Sequence, residues 1–383
     1  MGVLSREIAN NLTIGKGIVR EDAKPLIING NMDVWQRGTG TVTTTGGYVG
    51  VDRYKISEDT DGSYSTQRHT MSNTEKATTG FDYALQANCT GTDSSIGNTQ
   101  SAEITQKIEA QNCQVLQYGT ANAKSITLAF WVKSSKTGTY CIAINKKDST
   151  AYNIAHEYTI SAADTWEKKV IHISPTAGST SLITSSAGAI ANDTGEGLYV
   201  VFALAIGSNY HATNNTWTGS SSLSTSSQVN WMDSTSNNFY LTGVQLEVGE
   251  FSATTMPPFK FETFAENLHR CQRYLHHLEQ NGDGSNIRFA SGICTSSTAT
   301  EIAYKCFPEL RSTPTLYLPA ANKFRIRSAS AITCSSISAD NRHKNGVNIQ
   351  ASVSSGLSSG DGCNFDANAS GAYVQLDAEL WWI

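Results

Sequence analysis

The most regular hydrophobic alternation in the chain is "SITLAFWVK", residues 125–133. Ile126, Leu128, Phe130 and Val132 fall on one face of a predicted strand, and Thr127, Ala129, Trp131 and Lys133 on the other. A second long segment, "NNFYLTGVQLEVGEF" at 237–251, changes phase midway. Phe239 and Leu241 are odd-numbered, whereas Val244, Leu246 and Val248 are even. An unbroken strand would turn half of this apolar set outward, so one extra residue must be absorbed at Gly243. A β-bulge is expected there, because glycine tolerates the backbone angles a bulge requires.

Further short strands are predicted at 48–56, 81–89, 139–145, 153–160, 166–173 and 198–206, with almost no helical periodicity between them. Short strands separated by Gly, Ser and Asn turn signals indicate a β-sandwich or jelly roll over 25–256. Residues 207–238 break the pattern, being rich in Ser, Thr and Asn but carrying Tyr210, His211, Trp217 and Trp231. A loop of this length in a compact domain is usually functional or disordered, and its aromatics argue against disorder.

The period changes after Pro257 and Pro258. Thr263 followed by Glu266 forms a capping-box pair that starts a helix at Phe264. Phe264, Leu268, Cys271, Leu275 and Leu278 are then spaced four, three, four, three, which predicts one helix running to the "NGDG" stop at 281. This is heptad spacing. It fits either a short bundle about a symmetry axis or a helix lying on a sheet. Strand patterns return at 301–307, 315–319, 323–334 and 373–383. The fold class is therefore mainly β: a jelly-roll sandwich, one linker helix within 257–284 and a smaller C-terminal β domain over 285–383. Residues 1–24, polar and short of core formers, read as an arm that orders on a partner.

Composition narrows the function. Of 383 residues, 16% are charged and the formal net charge is −5, which lacks the basic footprint of a nucleic-acid partner. The longest apolar run, "LYVVFALAI", is too short to span a bilayer, so no membrane insertion is expected. The opening residues do not read as a secretory signal. The eight cysteines are scattered without a Cys-x-x-Cys pair and read as buried free thiols.

Catalytic signatures are missing from the sequence. It has no Gly-x-Ser-x-Gly elbow, His-Glu-x-x-His or phosphate loop. His269, His276 and His277 do not converge on one helix face as metal ligands would, and "DTDG" and "NGDGSN" read as turns. No metal, cofactor or enzymatic activity is expected. Flat aromatics among neutral polar groups suit sugars, whose ring faces stack and whose hydroxyls hydrogen-bond. Trp131, Tyr210, His211, Trp217 and Trp231 are accordingly the candidate glycan contacts. For Trp131, a covering loop and the floor of a groove are both compatible with the pattern. For Trp217 and Trp231, pinning the loop to the sandwich is the alternative role.

The blocks "PLIINGNMDVWQRG", "VDRYKI", "ITLAFWVKSSKTGTYCIAI", "ADTWEKKVIHI", "FYLTGVQLEVGE" and "ENLHRCQRYL", in this order, resemble those of tail-fibre proteins of tailed bacteriophages. The resemblance spans 25–278 and is echoed by "FPELRSTPTL" and "DAEL". It implies a jelly roll similar to carbohydrate-binding modules, closed by "TGVQLEVG" and handed on to the "CQRY" helix. It also implies a virion protein assembled in the host cytoplasm, non-enzymatic and homotrimeric. In this reading residues 1–24 contact other virion proteins, host-surface polysaccharide is the ligand, and Phe264, Leu268, Cys271, Leu275 and Leu278 line the oligomer interface. A head fibre or capsid-surface decoration and a glycan-degrading spike are the alternatives.

Overall fold

A computed structural model describes residues 25–43, 46–280 and 287–380. The expected attachment arm, 1–24, lies outside the described residues. The chain divides into two compact units between Thr263 and Phe264.

The first unit contains β1 (Val42–Thr43), β2 (Tyr54–Glu58), β3 (Ser63–Thr70), the short helix α1 (Asn73–Thr79), β4 (Tyr83–Gly91), β5 (Ser101–Glu109) and β6 (Ile126–Ser134). It continues with β7 (Gly138–Lys146), β8 (Tyr152–Ile160), β9 (Glu167–Ile173), β10 (Glu196–Ile206) and β11 (Asn238–Val248). One sheet has the order β1-β3-β4-β11-β6-β9 and the other β2-β5-β10-β7-β8. The ladders are antiparallel, and the chain passes repeatedly from one sheet to the other, which makes a jelly-roll sandwich. Ile126, Leu128, Phe130 and Val132 of β6 enter the core as their alternation requires. There they meet Leu198, Val200, Phe202 and Leu204 of β10. The Phe130 and Phe202 rings are 5.1 Å apart, edge to face.

The phase change in β11 is a bulge. Thr242 pairs with Trp131 and Gln245 with Ala129, so Gly243 and Val244 together oppose one residue of β6. Gly243 has a φ of +60°, in the left-handed region. Phe239, Leu241, Val244 and Leu246 consequently all reach the same core, although their numbering changes parity.

The Ser-rich segment after β10 is ordered by its aromatics. Trp217 and Trp231 are 1% and 0% exposed and belong to the sandwich core. Trp217 Nε1 donates to the Ser174 carbonyl at 2.8 Å, and Trp231 Nε1 to the Asn238 carbonyl at 3.1 Å. Leu223 and Tyr210 pack against Cys141, Ala203 and Ile206 of the five-stranded sheet, on the side away from the core. The loop therefore roofs part of that sheet.

The second unit corrects the long-helix expectation. Helix α2 (Phe264–Gln272) starts at the expected residue but stops after nine residues. The Tyr274 N–H donates to the Cys271 carbonyl, and Leu275–Glu279 forms β12, paired with β20 (Tyr373–Asp377). The apparent heptad thus straddles two elements. Cys271 and Leu275 are fully buried, Leu268 is half-buried, and Phe264 and Leu278 are 58% and 37% exposed. These five residues form no continuous helical seam, because Leu275 and Leu278 project from a strand.

The remainder is a closed barrel and a small sheet. The barrel comprises β13 (Arg288–Cys294), β14 (Ala299–Lys305), β16 (Phe324–Arg327), β17 (Ala331–His343), β18 (Gly346–Val353) and β19 (Gly362–Ala367). β15 (Thr315–Tyr317) pairs with β20 on the edge opposite β12. Val374, Leu376, Ala378 and Leu380 are buried, but the strand ends at Asp377, and Asp377 and Glu379 are buried as well, so the terminal alternation holds only as far as Leu376. All eight cysteines are free and buried.

Candidate functional site

Register assembles a row of side chains on the six-stranded sheet. Gln67 of β3 pairs with Gln86 of β4, Gln86 with Tyr240 of β11, and Tyr240 with Lys133 of β6. Their strand neighbours Leu85, Leu241 and Val132 fill the core, so this row faces the opposite way. His69 and Trp131, two residues along β3 and β6 from Gln67 and Lys133, share the outer face. Trp131 and Tyr240 are half-buried against Met71, Ala84 and Trp166.

Helix α1 supplies a carboxylate to this face. Ser72 caps it with a complete capping box, which places Glu75 in the first turn. Glu75 accepts from Lys133 Nζ at 2.6 Å, Trp166 Nε1 at 3.0 Å and the Ser72 N–H at 2.9 Å, and pairs with His69 Nε2 at 3.0 Å. Burial alone would raise the Glu75 pKa, but the hydrogen bonds from Lys133, Ser72, Trp166 and His69 outweigh it and hold the carboxyl well below its ordinary range. Lys133 Nζ also lies 4.2 Å from the Tyr240 ring centre and 5.2 Å from that of Trp166. His69 meets Tyr240 edge on, with ring centres 5.0 Å apart. The Tyr240 phenol is pushed up by burial and by the nearby carboxylates Glu75 and Asp164.

A neutral ladder borders the aromatic group. Thr41 Oγ1 donates to Gln67 Oε1, Gln67 Nε2 to Gln86 Oε1 at 3.0 Å, and Gln86 Nε2 to Asn88 Oδ1 at 2.8 Å. Each amide spends part of its capacity on its neighbour and keeps further donor or acceptor positions. The result is a fixed, half-exposed surface of indole and phenol edges beside aligned amides.

The other proposed glycan contacts are placed elsewhere. Tyr210 and His211 belong to the segment over the five-stranded sheet, where His211 Nε2 lies 3.1 Å from the Ile206 carbonyl oxygen. Trp217 and Trp231 are corrected outright: indoles with at most 1% exposure cannot stack on a sugar, and their N–H groups satisfy backbone carbonyls. Of the five, only Trp131 joins the outer face of the six-stranded sheet. Sequence reading missed Tyr240, Trp166, His69, Gln67, Gln86 and Glu75. The "SNTE" capping pattern at 72–75 is a local signal for α1, and alternation with Phe239 and Leu241 puts Tyr240 on the outer face, but its pairing with Lys133 and the convergence of these residues are a matter of strand register and sheet order.

The outer face of the five-stranded sheet has an ionic end. Buried Lys107 reaches Glu196 at 2.5 Å and lies 4.5 Å from the Tyr199 ring centre. Burial draws the Lys107 pKa down to about 8, against the opposing influence of Glu196. Among the described residues no group of three or more His, Cys, Asp or Glu side chains is arranged to hold a metal ion.

No family model and no curated relative matches the chain. Solved structures similar to it include TmCBM61 in complex with β-1,4-galactotriose, at 12% identity and a TM-score of 0.27, over 59% of this chain and 99% of that one. The family 11 carbohydrate-binding module of the cellulosomal cellulase Lic26A-Cel5E of Clostridium thermocellum is matched at 12% identity and a TM-score of 0.28, over 56% and 99%. The enzymatically active domain of bacteriophage CBA120 tailspike protein 4 is matched at 12% identity and a TM-score of 0.25, over 58% of this chain but 21% of that one. Similarity at this level carries no functional weight, and the chemistry has to be judged from the side chains themselves.

Proposed function

We propose that the protein is a non-catalytic glycan-binding component, and that it contacts saccharide through the outer face of the six-stranded sheet. The observation that carries this reading is the juxtaposition of half-buried Tyr240 and Trp131, backed by the buried Trp166, with the Gln67–Gln86–Asn88 amide ladder. Aromatic edges and faces suit the apolar side of a sugar ring, and aligned amides suit its hydroxyls. Glu75 fits a structural role better than an acid–base one, since a general acid near neutral pH needs a raised pKa and this carboxyl is held low.

The setting follows from the six ordered sequence blocks resembling phage tail fibres: a virion protein, homotrimeric, that recognises a host-surface polysaccharide. With the heptad divided between a helix and a strand, the trimer rests on that resemblance alone. Light scattering tests it, and a particle of one 41.2 kDa chain at micromolar concentration would exclude it.

The binding face is tested by Tyr240→Ala and Gln86→Ala, each assayed on a glycan array, on whole host cells and by thermal melting. Binding should fall about ten-fold or more, a change of about 1.4 kcal/mol, while both variants remain folded. Wild-type binding by both folded variants would remove the six-stranded face from consideration.

A further inference from the structure

Two rows of side chains cross the outer face of the six-stranded sheet. The first is Gln67–Gln86–Tyr240–Lys133, one residue from each of β3, β4, β11 and β6. The second is Ser65–Asn88–Asn238–Ser135, in which Ser65 pairs with Asn88 and Asn88 with Asn238. The Ser135 N–H donates to Asn238 Oδ1 at 3.2 Å, and the Asn238 N–H to Ser135 Oγ at 3.0 Å. Apart from buried Ser65, the residues of both rows are half-buried and within reach of a ligand. Ser63 Oγ and Thr90 Oγ1, 3.0 Å apart, extend the neutral surface along β3 and β4. Three steps between neighbouring strands, at about 4.8 Å each, make a row about 14 Å long, more than a single sugar ring covers.

Lys133 is the only charged side chain in either row, and it is already engaged. Its Nζ donates to Glu75 at 2.6 Å and lies 4.2 Å from the Tyr240 ring centre. The second basic group beside the rows, His69, meets the same carboxylate. Lys168, the cross-strand partner of Trp131, is exposed on the edge strand β9, outside both rows, and Asp164 brings an opposite charge close to Tyr240. An acidic sugar laid on these rows would take its carboxylate out of water with no unengaged cation in them to receive it, and that is costly. Hydroxyls fare better. Each one donates and accepts, as the amides of Gln67, Gln86, Asn88 and Asn238 do, whereas a carboxylate only accepts. Discrimination of this kind comes from what a site withholds from the wrong ligand as much as from what it offers the right one.

We infer that the outer face of the six-stranded sheet selects a neutral saccharide chain laid across β3, β4, β11 and β6 and discriminates against acidic ones. This specificity rests on the saccharide site proposed above, and the two are scored by different outcomes.

The test is binding of the full chain to an array of neutral oligosaccharides set beside uronate- and sialate-bearing ones, at low and at high salt. Wild-type signal should fall on the neutral members and change less than about two-fold with salt, since no ion pair is there to be screened. Gln67→Lys places an unpaired ammonium at the end of the first row and should raise binding to the acidic members about three-fold or more, in a salt-sensitive way. The salt response of the wild type gives the same reading should Gln67→Lys fail to fold. Wild-type preference for acidic members, or equal binding to both classes, that is lost in Tyr240→Ala or Gln86→Ala would overturn the neutral specificity and keep the site, as would a folded Gln67→Lys with no gain on acidic members. No binding to any member, or binding indifferent to both alanine substitutions in folded protein, would overturn the site and the specificity with it.

Discussion

The Val244 N–H donates to the Gly30 carbonyl at 2.9 Å, joining the start of the described chain to the bulge in its closing sandwich strand. The approach is so close that a Cβ on Gly30 would lie 2.1 Å from the Val244 carbonyl oxygen. On the other side of the bulge, a Cβ on Gly243 would lie 2.5 Å from the Phe81 ring and 3.0 Å from Trp131. The bulge thus moves Val244 and Leu246 into the core and also sets the spacing beside Trp131 on the outer face.

Gly243→Val should cost about 1–3 kcal/mol through its left-handed backbone and the contact with Phe81. Gly30→Ala should be at least as damaging, because its obstacle is backbone that cannot rotate away. Urea titration measures both. Wild-type midpoints in either variant would contradict the packing described for the bulge.

Trp217→Ala and Trp231→Ala should each destabilise the first unit by about 3–5 kcal/mol, the range for emptying a large buried aromatic site. Glycan binding by whatever fraction remains folded should be unchanged. Paired melting and binding measurements separate the two effects. Loss of binding at unaltered melting temperature would restore these indoles as ligand contacts.

Glu75→Gln should flatten the acid side of the stability profile. In the unfolded chain this carboxyl titrates near 4.5, and in the folded protein its donors keep it ionised to much lower pH. Its stabilising contribution is therefore complete above the unfolded value and drains away as pH falls below it. Melting temperatures at pH 7, 5 and 3 should drop more steeply for the wild type than for Glu75→Gln. Parallel curves would mean that Glu75 gains nothing from its four partners.

Leu275→Asp should unfold the β12–β20 region of the second unit instead of merely dissociating subunits. The residue is fully buried in a strand, where an unpaired carboxylate is strongly disfavoured. A concentration-independent loss of stability, followed by amide exchange at 275–279 and 373–377, would establish this. Dissociation into stable folded monomers would instead return Leu275 to a subunit interface.

Much of the architecture is written in local pattern. Period-two alternation at 125–133 and 373–376 sorted core from outer face because that sorting depends only on strand geometry and burial, whereas beyond the strand's end at Asp377 it no longer applies. Parity on either side of Gly243 revealed the bulge for the same reason. Scattered cysteines read as buried thiols, as they are. Spacing misled where two elements met: four-three-four-three counting cannot register that the helix ends at Gln272 and that Leu275 pairs with Asp377, a contact made 102 residues away. Aromatics in a polar loop likewise look alike whether they face solvent or core. Trp217 and Trp231 were settled by the fit of their rings and N–H groups into the sandwich. The outer face uniting Glu75, His69, Lys133, Trp166 and Tyr240 exists only through strand order. Strand order is a choice among long-range pairings, and those are decided by the packing of the whole chain.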